Sequence, residues 1–289
     1  MIKLVSSVFT YDKNEEYAKL SIEHYEKSLK YLKAHSDVPI QDDLLVIDFG
    51  QFDSRWAWVS GLNSYSWKPG AGFGANWNSA KQFAEFLGAD YLFNFNDDAF
   101  ISEEFLLKGI AWLEINSDIA IVAGIPNRGG PGFDHEIGGW NMPLSMKEIP
   151  QPFDCSFDVD PLDRLWWEAA ACVYKMDAIQ KTGDMDIEFD RYGGVIGDND
   201  YFIRLIKDGY KLNRLGTMRF FHCRGITQDA LYRTPISGQM DPLQKQAFDY
   251  LCRKWGAGIK TQKWEDLYER PFNKKGEEED VTDNLSAAI

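Results

Sequence analysis

The chain has 289 residues, 44% hydrophobic and 15% aromatic, enough to bury one large core or one core plus a small appendage. Its 45 acidic against 31 basic residues give a formal net charge of -14. Such a surface repels phosphate backbones and anionic lipid, so a nucleic-acid partner would need a local basic groove that the sequence does not show.

The first segment, "IKLVSSVFT", reads as a mostly buried strand. Its apolar run is too short for a secretory leader or a membrane span, which predicts a soluble, cytoplasmic protein. The four cysteines, Cys155, Cys172, Cys223 and Cys252, form no C-x-x-C pair and read as free thiols. Residues 14–34 place Ala18, Ile22, Tyr25, Leu29 and Leu32 at spacings of three and four, an amphipathic helix with acids first and lysines last. "DDLLVIDFG" is a second strand ending in Asp48 and Gly50. The glycine-rich "PGAGFG" leads into a helix over 76–87. Glycines at 72 and 74 let backbone approach a ligand closely, and the helix start offers N–H groups to an anion. The segment is neither G-x-G-x-x-G nor a Walker loop.

"ADYLFNFND" is a strand that delivers Asp97 and Asp98 at its end, and "SEEFLLKGIAWLEIN" is a helix with Ser102 as N-cap. "IAIVAGIP" is a further strand. Strand and helix thus alternate over residues 1–126, the pattern of a mostly parallel sheet with helices on both faces. "NRGGPGFDHEIGGWNMP", within 127–143, reads as a long binding loop or a disordered one. "WWEAAACVYKM" is strand-like, "GDNDYFIRLIKDG" is a helix stopped by Gly209, and "RFFHCRGIT" is a late strand. The acidic tail from about residue 273 has the composition of a disordered segment.

Several of these positions could carry chemistry, and each has a plain structural alternative. Ligands of parallel sheets bind at the carboxyl ends of strands. Two adjacent carboxylates there repel unless one is protonated or a cation sits between them. Asp97 and Asp98 could therefore hold Mn²⁺ or Mg²⁺ against a substrate phosphate, or merely cap a turn. Asp48 could accept bonds from a ribose or a base, or be an ordinary turn acid. Asp198 and Asp200 open a helix, as a dipole-favoured pair or as a base aimed into a cleft. His222 is either a core histidine or a metal ligand. Trp166 and Trp167 could supply a platform for a sugar ring, or core packing.

Taken in order, these segments resemble the inverting, metal-dependent glycosyltransferases of family two, over about residues 3–228. The resemblance implies the A-type glycosyltransferase fold, a Rossmann-like, mostly parallel α/β sheet with acceptor-side insertions. Residues 1–126 would be its nucleotide-sugar half and 127–255 its acceptor-binding and catalytic half, with 256–289 a C-terminal extension. It implies a donor site of Thr10, Asp48, Asn78 and Asp97, and a Mn²⁺ or Mg²⁺ site at Asp98 and His222. It further implies a general base at Asp198 and an acceptor site that includes Trp166, Trp167 and Asp200. "KTGDMDIEF" is similar to the family's "G-x-F-D-E-x-F" stretch, with Asp186 at the acid position. Gly197 stands where the family's "E-D-x-D" block has its Glu.

The implied reaction moves a sugar from a nucleotide-diphosphate sugar to a hydroxyl of a glycan or other acceptor, with inversion. The alternatives are a nucleotidyltransferase and a non-catalytic nucleotide- or glycan-binding module. The former would carry a basic, glycine-rich N-terminal segment, which "SSVFTYDKNEE" is not. Donor, acceptor and oligomeric state are not encoded in any motif.

Overall fold

A computed structural model describes residues 1–10, 15–48, 64–67, 72–127, 159–161, 169–194, 196–222 and 242–256. Trp166, Trp167, Cys155, Cys223, most of the glycine-rich loop and the acidic tail lie outside them, as does the side chain of Asp48.

Among the described residues nine strands form one sheet. They are β1 (Ile2–Thr10), β2 (Ile40–Asp48), β3 (Ser64–Trp67), β4 (Tyr91–Asn96), β5 (Ala99–Ile101), β6 (Ile119–Asn127), β7 (Val159–Pro161), β8 (Ala171–Lys175) and β9 (Lys211–His222). The order is β3-β2-β1-β4-β8-β6-β9-β5, with β7 also on β9. β1, β2, β3 and β4 pair in parallel; β8 runs antiparallel between β4 and β6; β6 and β9 are parallel again. The short β5 and β7 run antiparallel to β9. The central sheet is therefore mostly parallel, with helices on its two faces, as the alternation predicts.

On one face lie α1 (Glu15–His35) and α3 (Phe105–Ile115). The α1 stripe Ala18, Ile22, Tyr25, Leu29 and Leu32 is buried as the spacing predicts, and Tyr25 stacks on Phe93 and Phe95 of β4. The other face carries α2 (Phe73–Leu87), α4 (Met176–Thr182), a 3₁₀ helix (Ile187–Tyr192), α5 (Gly197–Lys207) and α6 (Pro242–Trp255). Its core joins Trp77, Tyr174, Phe189, Tyr201 and Phe248. Alternation along β4 serves both faces: Phe93 and Phe95 meet α1, while Leu92 joins the opposite core.

Two sequence expectations fail on local grounds. Ser102 is not the N-cap of α3. The chain is still extended there, because β5 has just paired with β9, and Ser102 donates its backbone N–H to Arg219. Position N-cap falls on Glu104, with no side-chain cap. The helix read from residue 76 begins at Phe73. By contrast, Gly209 closes α5 with φ of 92°, a conformation glycine adopts without strain. No helix among the described residues is long and apolar enough to cross a membrane.

Candidate active site

The strand order reverses at β1, which has β2 on one side and β4 on the other. In open α/β sheets the crevice at such a reversal, outside the carboxyl ends of the strands, is where ligands bind. Thr10 ends β1 there, in register with Asp48 at the end of β2. The β1–β4 ladder closes at the Phe9–Asn96 pair, so Thr10 and Asp97 are the next residues out.

β4 ends at Asn96 and β5 begins at Ala99, so Asp97 and Asp98 form the two-residue turn between them. Both are only 4% exposed. β5 is one of the elements that sequence reasoning missed, and it decides the site. Its Ala99 stands opposite His222 on β9. That register brings His222 Nε2 to 3.1 Å from Asp98 Oδ1. Two residues 124 positions apart in sequence, each a candidate metal ligand, thus meet at one sheet edge. Asn96 Nδ2 lies 3.5 Å from the same His222 nitrogen. A carboxylate and an imidazole are suitable donors for Mn²⁺. Among the described residues no group of three His, Cys, Asp or Glu side chains comes together as a metal cluster. Two such donors could hold a divalent cation only together with further oxygen ligands.

Asp198 approaches the same edge from the other face. Ala170 accepts the Asn96 N–H at 2.9 Å, and the neighbouring Ala169 N–H donates to the Asp198 carboxylate. One short segment thus ties the end of β4 to the start of α5. Asp198 Oδ1 also accepts from Asn199 N at 2.9 Å and Asn199 Nδ2 at 3.1 Å. Asp198 keeps a window to solvent, but protein surrounds the rest of it. Loss of water pushes its pKa up to about 6, against hydrogen bonds from Asn199 and Ala169 that pull it down. Ile196, just before this turn, is the one described non-glycine residue at positive φ, 70°. For a β-branched residue this is a strained conformation.

The remaining candidates are engaged with the chain itself. Asn78 spends both ends of its amide on Met185: Nδ2 donates to the carbonyl at 3.0 Å and Oδ1 accepts the N–H at 2.7 Å. It thereby holds the segment before the 3₁₀ helix against α2. Asp200 is 0% exposed. Its Oδ1 accepts from Trp255 Nε1 and Lys254 Nζ, both at 2.8 Å, and Arg204 Nε is 3.4 Å from Oδ2. Asp186 accepts from Lys254 at 2.6 Å, Tyr250 at 2.9 Å and Glu188 N at 3.0 Å. Burial alone would raise the Asp186 carboxyl, but these donors outweigh it and hold it below the usual range. Asp186 and Asp200 together clamp α6.

The anion site expected at the start of α2 is filled from within. Asp190 accepts Gly74 N at 2.7 Å and Ala75 N at 2.9 Å. A Cβ at Gly72 would lie 2.5 Å from Asp190 Cγ, so that glycine makes room for an internal carboxylate rather than for a ligand. Nothing in the sequence signals a partnership across 116 positions. Sequence reasoning also missed Ser21, His24 and Ser28, a polar line at i, i+3 and i+7 beside the apolar stripe of α1. That spacing is the signal that could have found them.

No family model matches the sequence, and no curated protein matches it. Solved structures do resemble the fold. S. aureus TarS 1–349 in complex with UDP-GlcNAc superposes with a TM-score of 0.53 at 13% identity, covering 92% of this chain and 70% of that one. The mannosyltransferase PcManGT from Pyrobaculum calidifontis, in complex with GDP-Man and Mn²⁺, gives 0.52 at 12%, covering 86% and 69%. TarS 1–349 in complex with UDP gives 0.50 at 14%; the match takes in 76% of this chain but only 59% of TarS 1–349, less than two thirds. At these identities the likeness establishes the fold.

Proposed function

We propose that this chain transfers a sugar, with inversion, from a nucleotide-diphosphate sugar to an acceptor hydroxyl. The observation that carries the reading is the meeting of Asp98 and His222 at the sheet's ligand-binding edge, with Asp198 tied to the same edge through Ala169. That the fold is shared with structures holding UDP-GlcNAc and GDP-Man with Mn²⁺ supports it.

In this reading residues 1–126 bind the donor, with Thr10, Asp48 and Asp97 around the nucleoside. Asn78 acts on the donor side by holding the segment at Met185 in place. Asp98 and His222 would hold Mn²⁺ or Mg²⁺, which as a Lewis acid would stabilise the negative charge that builds on a departing diphosphate. Asp198 takes the proton of the acceptor hydroxyl as that oxygen attacks the anomeric carbon from the opposite face. A carboxyl with a pKa of about 6 suits this work: it is ionised near neutral pH yet basic enough to accept a proton. Trp166 and Trp167 belong to the acceptor side, residues 127–255. Asp200 instead fixes α5 against α6, so that Asp198 is held at a defined place.

The test is incubation with Mn²⁺ and a panel of uridine, guanosine, thymidine and cytidine diphosphate sugars. Release of nucleoside diphosphate is the expected result. Pyrophosphate release would instead indicate nucleotidyl transfer, and binding without release a non-catalytic module; either sinks the proposal.

A further inference from the structure

The acid turn is held from behind by a residue of α1. Ser21 is 0% exposed. Its hydroxyl lies 3.0 Å from the carbonyl oxygen of Asn96 and 2.7 Å from that of Ala99. Those two residues flank Asp97 and Asp98 immediately on either side. A hydroxyl has one proton, so Ser21 shares it between the two carbonyls and draws both ends of the turn to one point. The line continues along α1. His24 Nδ1 bonds the carbonyl of Ile101 at 3.1 Å, at the far end of β5, and Ser28 Oγ accepts the N–H of Leu106 at 3.1 Å. Of these three, Ser21 is the one that bonds both residues flanking the turn.

We infer that Ser21 is a positioning residue for the cation and diphosphate, acting through the Asp97–Asp98 turn. The inference rests on the metal reading above. Ala99 is in register with His222, so any slack between Ala99 and Asn96 alters where Asp98 stands relative to the imidazole. Without the hydroxyl, two buried carbonyls lose their shared donor and the turn relaxes to recover one. Asp98 and His222 then present their donors at the wrong separation for one ion. Supporting groups of this kind typically change metal affinity by about 10–100-fold.

The test is calorimetric titration of MnCl₂ into the full chain in the presence of UDP, and separately of GDP, so that the readout is binding and not turnover. Ser21→Ala is compared with Ser28→Ala, which removes a hydroxyl from the same helix face without touching the turn. The expected result is a fall in Mn²⁺ affinity of about tenfold or more for Ser21→Ala, near-normal affinity for Ser28→Ala, and similar small losses of Tm in both. Ser21→Thr, which retains the hydroxyl, restores affinity. Should Ser21→Ala not fold, Ser21→Cys keeps the bulk with a weaker donor and carries the test, with an affinity loss still expected. Affinity in the folded Ser21 variant equal to wild type, or reduced equally in Ser28→Ala, overturns the inference alone. A wild-type chain that binds UDP and GDP with no Mn²⁺ dependence overturns the metal reading, and the inference with it.

Discussion

Two corners of the molecule bury carboxylates, and they solve the problem of burial differently. At the β4–β5 turn, Asp98 is met by a second chemical group, His222, delivered by the strand register. At the start of α5, Asp198 meets N–H donors of Asn199 and Ala169 and has lost much of its water, so its carboxyl is pushed towards holding a proton. Regular hydrogen bonding and Ser21 build the first corner. The second follows Ile196, strained at a φ of 70°. The difference matches the two jobs proposed: a site for a positive ion sets its acid beside a second candidate ligand, while a proton acceptor is poised between its two states.

The largest effect should come from the first corner. Asp98→Ala is expected to lower Mn²⁺-dependent nucleoside diphosphate release by about 10³-fold, while Tm moves by only a few degrees, because the acid lies in a turn. Turnover close to wild type would remove Asp98 from the site.

Next is the second corner's support. Lys254 bridges Asp186 and Asp200, the latter fully buried, so Lys254→Gln removes the cation that the two acids share. A stability loss of about 1–3 kcal/mol is expected, because each acid loses a charged donor while keeping its other partners. Denaturant titration measures it; a loss under about 0.5 kcal/mol would show that α6 is held by its apolar contacts alone.

These contrasts also show what a sequence can reveal. The buried stripe of α1 and the strand ends at Asp48 and Asn96 follow from local spacing and apolar runs, and they were legible. β5 was not: three residues have no period of their own, and they are a strand only because β9 lies beside them. Asp198 and Asp200 look alike on paper, two acids in the first turn of one helix. Only the packing of α6 separates the acid left beside the crevice from the one sealed under Lys254 and Trp255. Asp190 was invisible for the same reason, since its partners Gly74 and Ala75 are contributed by a distant helix start.

A third expectation concerns pH. Asp198 has a pKa of about 6 in the folded chain against an ordinary 3.8, so folding takes up a proton between those values. Its contribution to stability is full below about pH 4 and is lost as pH rises through about 6. Asp198→Asn should therefore equal wild type in stability near pH 4 and exceed it at pH 7, by up to roughly 3 kcal/mol. An advantage that did not grow with pH would mean that Asp198 is not desolvated. In wild type, kcat/KM should fall about tenfold per pH unit below about 6, as the base is protonated.

The smallest effect is a control that touches neither corner. Gly72→Ala would set a Cβ 2.5 Å from Asp190 Cγ and displace that acid from the start of α2. A loss of about 1–3 kcal/mol is expected in thermal unfolding. A variant as stable as wild type would show that Asp190 can cap α2 from another position.

The central claim is that the two corners divide the work, one holding the diphosphate's cation and the other the acceptor's proton. Measuring nucleoside diphosphate affinity with and without Mn²⁺ on wild type, Asp98→Ala and Asp198→Asn tests it most directly. The account predicts that Asp98→Ala loses the Mn²⁺-dependent gain in affinity. Asp198→Asn should keep that gain in full while its turnover falls about 10²–10⁴-fold. Loss of the Mn²⁺-dependent gain in Asp198→Asn, or its survival in Asp98→Ala, would contradict the account.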